Sequence, residues 1–156
     1  MPTRLEIQRA CPDNGLPTDT QLTRWADAAL QAASAEQTGE ITVRLVEAGE
    51  SQALNAEYRG RNYPTNVLSF PFEMPEGLPA EAMPDILGDL VICAEVVARE
   101  AGEQGKTGEA HWAHMLVHGV LHLLGYDHQD DTQAHDMETL ETEILASLGY
   151  NDPYQE

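Results

Sequence analysis

Apolar and polar residues alternate in some segments of this chain and recur every three to four residues in others. Alternation around Leu5 and Ile7, and again over residues 41–45, predicts two half-buried strands. The first strand is expected to be ended by Pro12 and Gly15. Two further strands are predicted at 66–70 and 86–93.

Helical periodicity predicts five helices in the same chain. The first follows the capping candidates Thr18 and Asp19, and the second is expected to end at Gly60, a residue that favours the left-handed conformation after a helix. The predicted helices span 20–34, 51–59, 94–103, 109–124 and 131–148. This order of elements predicts one α+β or mixed three-layer domain over residues 1–156, in which a small mixed β-sheet is covered by helices.

Four prolines lie between the last two predicted strands and exclude a helix there; they are Pro71, Pro75, Pro79 and Pro84. A connection of this length is uncommon inside a compact domain and often carries function. A tolerated surface excursion is the alternative interpretation.

The charge balance changes this picture, because 27 Asp and Glu residues face only 8 Lys and Arg, giving a formal charge of -19. Such a surface repels nucleic acid and anionic membranes unless a local patch or a bound cation reverses the field.

Cys11 and Cys93 are too few and too distant for a disulfide framework, which indicates a reducing compartment. No stretch approaches the roughly 20 apolar residues of a membrane span, so a soluble cytoplasmic protein is expected.

The most informative segment runs from His111 to His128 and contains five of the six histidines. His118 and His122 are four residues apart, so on a helix their side chains share one face and can reach a common ion. A solvated or hydrogen-bonded pair on a helix face is the alternative. Gly125 can end the helix in a left-handed conformation and return His128 towards the first two histidines.

Three neutral imidazoles leave a metal ion with an open fourth position, as in catalytic zinc sites. Zn²⁺ is therefore expected, although imidazole also suits nickel, copper and cobalt. His114 lies about 12 Å along the helix axis from His122, too far for both to bind one zinc ion at about 2.0–2.1 Å. We therefore interpret His114 as a residue that supports the ligands or as a catalytic residue. The ligand spacing matches that of metzincin metallopeptidases, but Gly119 stands where those enzymes carry the glutamate that acts as general base.

At these residues the chain resembles the YbeY family of bacterial metal-dependent endoribonucleases that mature ribosomal RNA. The resemblance spans roughly residues 40–154 and is carried by segments 58–60, 64–71, 87–89, 114–128 and 137–148. It implies a mixed sheet with helices and a metallopeptidase-like metal site on a helix and the following turn. It also implies that His118, His122 and His128 are zinc ligands and that Arg59 is functionally important.

The resemblance implies a zinc-dependent, single-strand-specific endoribonuclease acting in 16S ribosomal RNA 3′-end maturation and ribosome quality control. The implied partners are ribosomal RNA, the small ribosomal subunit, a basic small-subunit ribosomal protein and the GTPase Era. The chemistry agrees, because a guanidinium such as that of Arg59 can donate two hydrogen bonds to a phosphodiester. The alternative for Arg59 is an arginine that binds the carbonyls at its helix end. His114 is the leading candidate for the general base.

Two other functions fit the same sequence. One is a metzincin-like metallopeptidase, and Gly119 counts against it because glycine cannot accept a proton. The other is a non-enzymatic ribosome-assembly factor with a structural metal, whose acidic surface binds basic ribosomal proteins. The bond that is cut, the product ends, the physiological metal and the oligomeric state stay open. With so few basic residues, RNA contact is expected near Arg59, Arg61 and the cation.

Overall fold

A computed structural model of the chain describes residues 4–12, 15–33, 40–71, 86–126 and 130–150. The strands are β1 (Arg4–Ala10), β2 (Glu40–Val46), β3 (Val67–Pro71) and β4 (Ile86–Cys93). The helices are α1 (Asp19–Ala32), α2 (Ala48–Arg59), α3 (Ala94–Gln104), α4 (Gly108–Leu123) and α5 (Asp131–Ser147). The predicted order of elements and the α+β class are confirmed.

Local signals in the sequence set several helix ends. Of the two predicted capping candidates, Thr18 is the N-cap of α1 and Asp19 is its first helical residue; Thr18 also forms a reciprocal capping box with Gln21. Gly60 ends α2 with φ 69°, in the left-handed region. The start of α2 was predicted three residues too late, because the helix begins at Ala48 and continues through Gly49. Most of the proline-rich connection, residues 72–85, lies outside the described residues.

The four described strands form one mixed sheet in the order β1-β2-β4-β3. The β1–β2 and β2–β4 pairs are parallel, and β3 pairs with β4 in the antiparallel direction. Alternation sends Ile41, Val43 and Leu45 of β2 into the larger core, while Val91 and Cys93 of β4 face the opposite side.

The larger core lies between the sheet and the helices α1, α4 and α5, and α2 covers the other face. Helix α4 approaches the sheet closely at Gly119, where an added Cβ would lie 2.8 Å from Leu90 Cδ2 and 3.4 Å from Val67 Cγ2. This contact fixes the depth of α4 against β3 and β4. None of the described helices combines the length and apolar character that a membrane span requires.

Candidate metal centre

Two of the predicted ligands, His118 and His122, lie close together near the end of α4. Their Nε2 atoms are 3.1 Å apart, as the four-residue spacing on a helix predicted. Most of α4 is buried, but these two side chains are half-buried and reach a cleft, with His118 exposed by 22%. The pair is therefore anchored in the core and accessible from outside.

A buried carboxylate orients the first of these rings. Glu141 of α5 is 0% exposed, and its Oε1 lies 2.5 Å from Nδ1 of His118. A carboxylate at this distance accepts the Nδ1 proton, so the lone pair of Nε2 points away from Glu141 and towards His122. Carboxylate partners of this kind typically support metal-binding histidines.

Glu141 was not singled out from the sequence, although a signal for it exists. It lies on α5 within one turn of the buried residues Met137, Ile144 and Leu145. A carboxylate inside an apolar stripe is rarely fully buried unless it is paired. Such a position, read together with the histidine cluster, indicates a buried partner for one of the rings.

The two rings fit a divalent metal ion in chemistry and in spacing. Two nitrogens bound to one tetrahedral zinc ion at about 2.0–2.1 Å lie roughly 3.3 Å apart, close to the observed separation. Within the described residues no group of three metal-binding side chains is assembled. The third predicted ligand, His128, lies outside them.

The end of α4 has the turn that was expected from Gly125. This glycine has φ 102°, and its N–H donates to the carbonyl of His122, while the N–H of Tyr126 donates to the carbonyl of Leu121. These two hydrogen bonds define a Schellman motif, which turns the chain sharply after a helix. The geometry agrees with the prediction up to Tyr126, and the return of His128 stays a prediction.

His118 and His122 open into a cleft of about 720 Å³ that also includes Arg59. Arg59 is the last residue of α2, is exposed, and makes no hydrogen bond or ion pair with any described residue. The alternative of an arginine bound to its own helix end is therefore not observed. The cleft is lined by Tyr58, Arg59, Asn66, Val67, Leu68, Ser69, Phe70, Pro71, His118, His122, Gly125 and Tyr126.

His114 occupies a different position from the cleft-lining histidines. It is 7% exposed, and its Nε2 lies 3.4 Å from Oε2 of Glu141, the second oxygen of the carboxylate that contacts His118. It is not among the residues that line the cleft. This placement favours a role in holding Glu141, and the predicted role of His114 as general base stays a prediction.

His111 lies further from the cleft and was expected to take no part in metal binding. Its ring is 2% exposed, and its Nε2 lies 2.9 Å from Oε1 of Glu100. Burial lowers the pKa of His111, against the opposing effect of the Glu100 carboxylate. Glu100 in turn accepts from the side-chain amide of Asn66, which fixes the start of β3 beside the cleft.

Gly119 distinguishes the sequence of this candidate site from the metzincin motif. The glutamate of the metzincin motif would stand here, but this position faces Leu90 and Val67 in the core. Gly119 also does not line the cleft. A side chain at this position would already meet Leu90 of β4 at its Cβ, so the close packing of α4 on the sheet favours glycine here.

Comparison with known proteins identifies the fold and the family of the chain. In fold, the chain is similar to the solution structure of TM1509 from Thermotoga maritima, with a TM-score of 0.58 and 23% sequence identity. That match covers 97% of this chain and 99% of the Thermotoga chain. Residues 11–149 match the sequence profile of the family described as endoribonuclease YbeY. The chain thus belongs to the YbeY family, endoribonucleases and hence hydrolases that act in ribosomal RNA processing.

Proposed function

We propose that this chain, as a single domain, is a zinc-dependent endoribonuclease that cuts single-stranded RNA at the 3′ end of 16S ribosomal RNA. The observation that carries the proposal is one cleft that joins the His118–His122 pair with Arg59. A divalent cation and a guanidinium in one cleft suit a phosphodiester, whose charge grows in the transition state. Family membership supports the same reaction class.

The residues of the cleft divide the chemistry between them. A zinc ion held by His118, His122 and His128 would supply Lewis-acid polarisation of a phosphoryl oxygen and activation of water. Arg59 binds non-bridging phosphate oxygens through its planar fork of donors, and no described carboxylate competes for it. Glu141 holds the His118 ring in position, and His114 supports Glu141 from the other side.

The acidic surface bears on the partners of the enzyme. With a formal charge of -19, long-range attraction to free RNA is weak, so the local field at Arg59 and the metal ion positions the substrate. The remaining acidic surface suits a basic small-subunit ribosomal protein. Recognition through the small subunit and the GTPase Era then accounts for 3′-end maturation and ribosome quality control in the cytoplasm.

The proposal is tested by cleavage of a 3′-extended fragment of 16S ribosomal RNA, with unstructured casein as the alternative substrate. The zinc-loaded protein is expected to cut the RNA and leave casein intact, and a chelator should abolish cleavage until zinc is restored. Proteolysis that requires the metal, without RNA cleavage, would identify a peptidase instead. Binding to ribosomal proteins without cleavage of any RNA would identify an assembly factor.

Arg59→Ala tests the role assigned to the guanidinium. Loss of one preorganised donor to a developing charge lowers kcat by about 10²- to 10³-fold. Arg99→Ala is the matched control, because Arg99 is an exposed arginine of α3 outside the cleft lining and pairs with Glu103 at 3.7 Å. An Arg59→Ala enzyme as fast as Arg99→Ala would show that the guanidinium has no catalytic role.

A further inference from the structure

Tyr58 is a large aromatic side chain that is left open to solvent at the edge of the metal-centre cleft. Tyr58 is 61% exposed to solvent, the highest value among the large hydrophobic residues in the described part of the chain. It lines the same cleft as His118 and His122 and directly precedes Arg59. Exposing a ring of this size has no benefit for folding, because burial of an aromatic side chain is favourable.

The ring is held in place despite its exposure. Tyr58 packs edge-on against Phe70 of β3, with ring centroids 5.1 Å apart and an interplanar angle of 67°. Phe70 is half-buried and also lines the cleft. An exposed ring that packs on one side and lies next to a guanidinium is an arrangement by which proteins hold unpaired bases.

We propose that Tyr58 is a stacking platform for one unpaired base of the RNA, next to the phosphate bound by Arg59. The inference rests on the proposed endoribonuclease function and names the feature of the substrate that this end of the cleft recognises. A base inside a duplex has both faces covered by its neighbours, so only a single-stranded nucleotide can use the platform. The platform thus gives a structural reason for preferring single strands.

The charge of the protein makes this contact more important than it is in a basic nuclease. Phosphate contacts supply most of the affinity of proteins rich in Lys and Arg, and this chain has only 8 such residues. Stacking depends little on sequence and does not require net positive charge. It therefore supplies affinity that an acidic surface cannot provide.

The test combines protein and RNA changes in one cycle of cleavage measurements on the zinc-loaded full chain. The substrate is a single-stranded oligoribonucleotide, compared with versions in which one base at a time is replaced by an abasic site. Tyr58→Leu should raise KM by about 5- to 100-fold with a smaller change in kcat. One abasic position should raise the KM of the wild type by a similar factor and have almost no effect on the KM of Tyr58→Leu.

Two variants keep the test specific. Tyr58→Phe retains the ring and should keep a KM close to that of the wild type. Tyr63→Leu removes a second exposed tyrosine, 49% exposed and outside the cleft lining, whose hydroxyl accepts from Arg61 at 2.9 Å. Whatever it does to Arg61, it should leave the effect of each abasic position on KM unchanged. Fully additive penalties of Tyr58→Leu at every abasic position, or the same loss of an abasic effect in Tyr58→Leu and Tyr63→Leu, would overturn the platform.

Failure of the proposed function gives a different result from failure of the platform. If the wild type cuts no RNA, the endoribonuclease proposal fails, and fluorescence anisotropy with the same oligonucleotides then tests the platform alone. Weaker binding of the intact oligonucleotide by Tyr58→Leu than by the wild type, with the difference lost at one single abasic position, would support the platform. Binding that does not change with the ring at residue 58 would overturn it.

Discussion

Replacement of Glu141 is the sharpest test of the way the proposed metal centre is built. Its carboxylate is 0% exposed, lies 2.5 Å from Nδ1 of His118 and 3.4 Å from Nε2 of His114. Loss of a carboxylate behind a metal-binding histidine typically weakens metal affinity by 10- to 100-fold. We expect the Glu141 variants to bind zinc more weakly than the wild type while keeping all three predicted ligands.

The structure sets the magnitude for each variant. Glu141→Gln keeps one oxygen that can accept from Nδ1 of His118, but it loses the charge and replaces the oxygen that faces His114 with an NH2 donor. We therefore expect zinc to bind about 10-fold more weakly, or about 1.4 kcal/mol. Glu141→Leu loses both the charge and the acceptor in a buried site, so a decrease of about 100-fold is expected, or about 2.7 kcal/mol. The contacts of Glu141 therefore predict that zinc affinity decreases in the order wild type, Glu141→Gln, Glu141→Leu.

The assay is a zinc titration at pH 7.5 in competition with a chromophoric chelator, which measures affinity without relying on activity. Glu143→Gln is the control, because Glu143 lies on the same helix and is exposed. Thermal unfolding of each metal-free variant shows whether the fold is retained. Zinc affinities of both Glu141 variants within twofold of the wild type would refute the role of Glu141, as would an equal loss in Glu143→Gln.

Two further predictions concern stability. Gly119→Ala should lower the free energy of unfolding by about 1 kcal/mol, because its Cβ would meet the movable end of the Leu90 side chain. Gly102→Ala has open space around its Cβ and should raise the free energy of unfolding by about 0.5–1 kcal/mol. Urea unfolding measures both changes, and equal shifts would contradict the close approach at Gly119. Burial lowers the pKa of His111 in the folded chain below the unfolded value of about 6.5. The contribution of the neutral ring to folding stability is therefore present above that pH and is lost as the pH falls below it. His111→Gln should therefore lose less stability than the wild type between pH 7.5 and 5.5, and the same loss in both proteins would disprove this assignment.

Much of the local structure was predictable because it depends on short-range chemistry. The capping box at Thr18, the left-handed Gly60 and the turn at Gly125 each follow from residues a few positions apart. The approach of His118 and His122 follows from helix geometry alone. In these cases the residues that decide the structure are neighbours in the sequence.

Long-range arrangements were not predictable in the same way. The order β1-β2-β4-β3 depends on which strands pair, and short apolar strands carry little information about their partners. Glu141 meets His118 across 23 residues, and only the packing of α5 on α4 brings them together. The cleft that joins Arg59 to the histidines likewise arises from the packing of separate elements.

The proposed function is tested most directly by the 3′ ends of 16S ribosomal RNA in cells whose only copy of this protein is either the wild type or His122→Ala. Removal of one imidazole from the His118–His122 pair should disable cleavage without disturbing α2 or Arg59. The account predicts that 3′-extended 16S RNA accumulates in the His122→Ala cells at equal protein levels. Mature 3′ ends in the same proportion as in wild-type cells would contradict it.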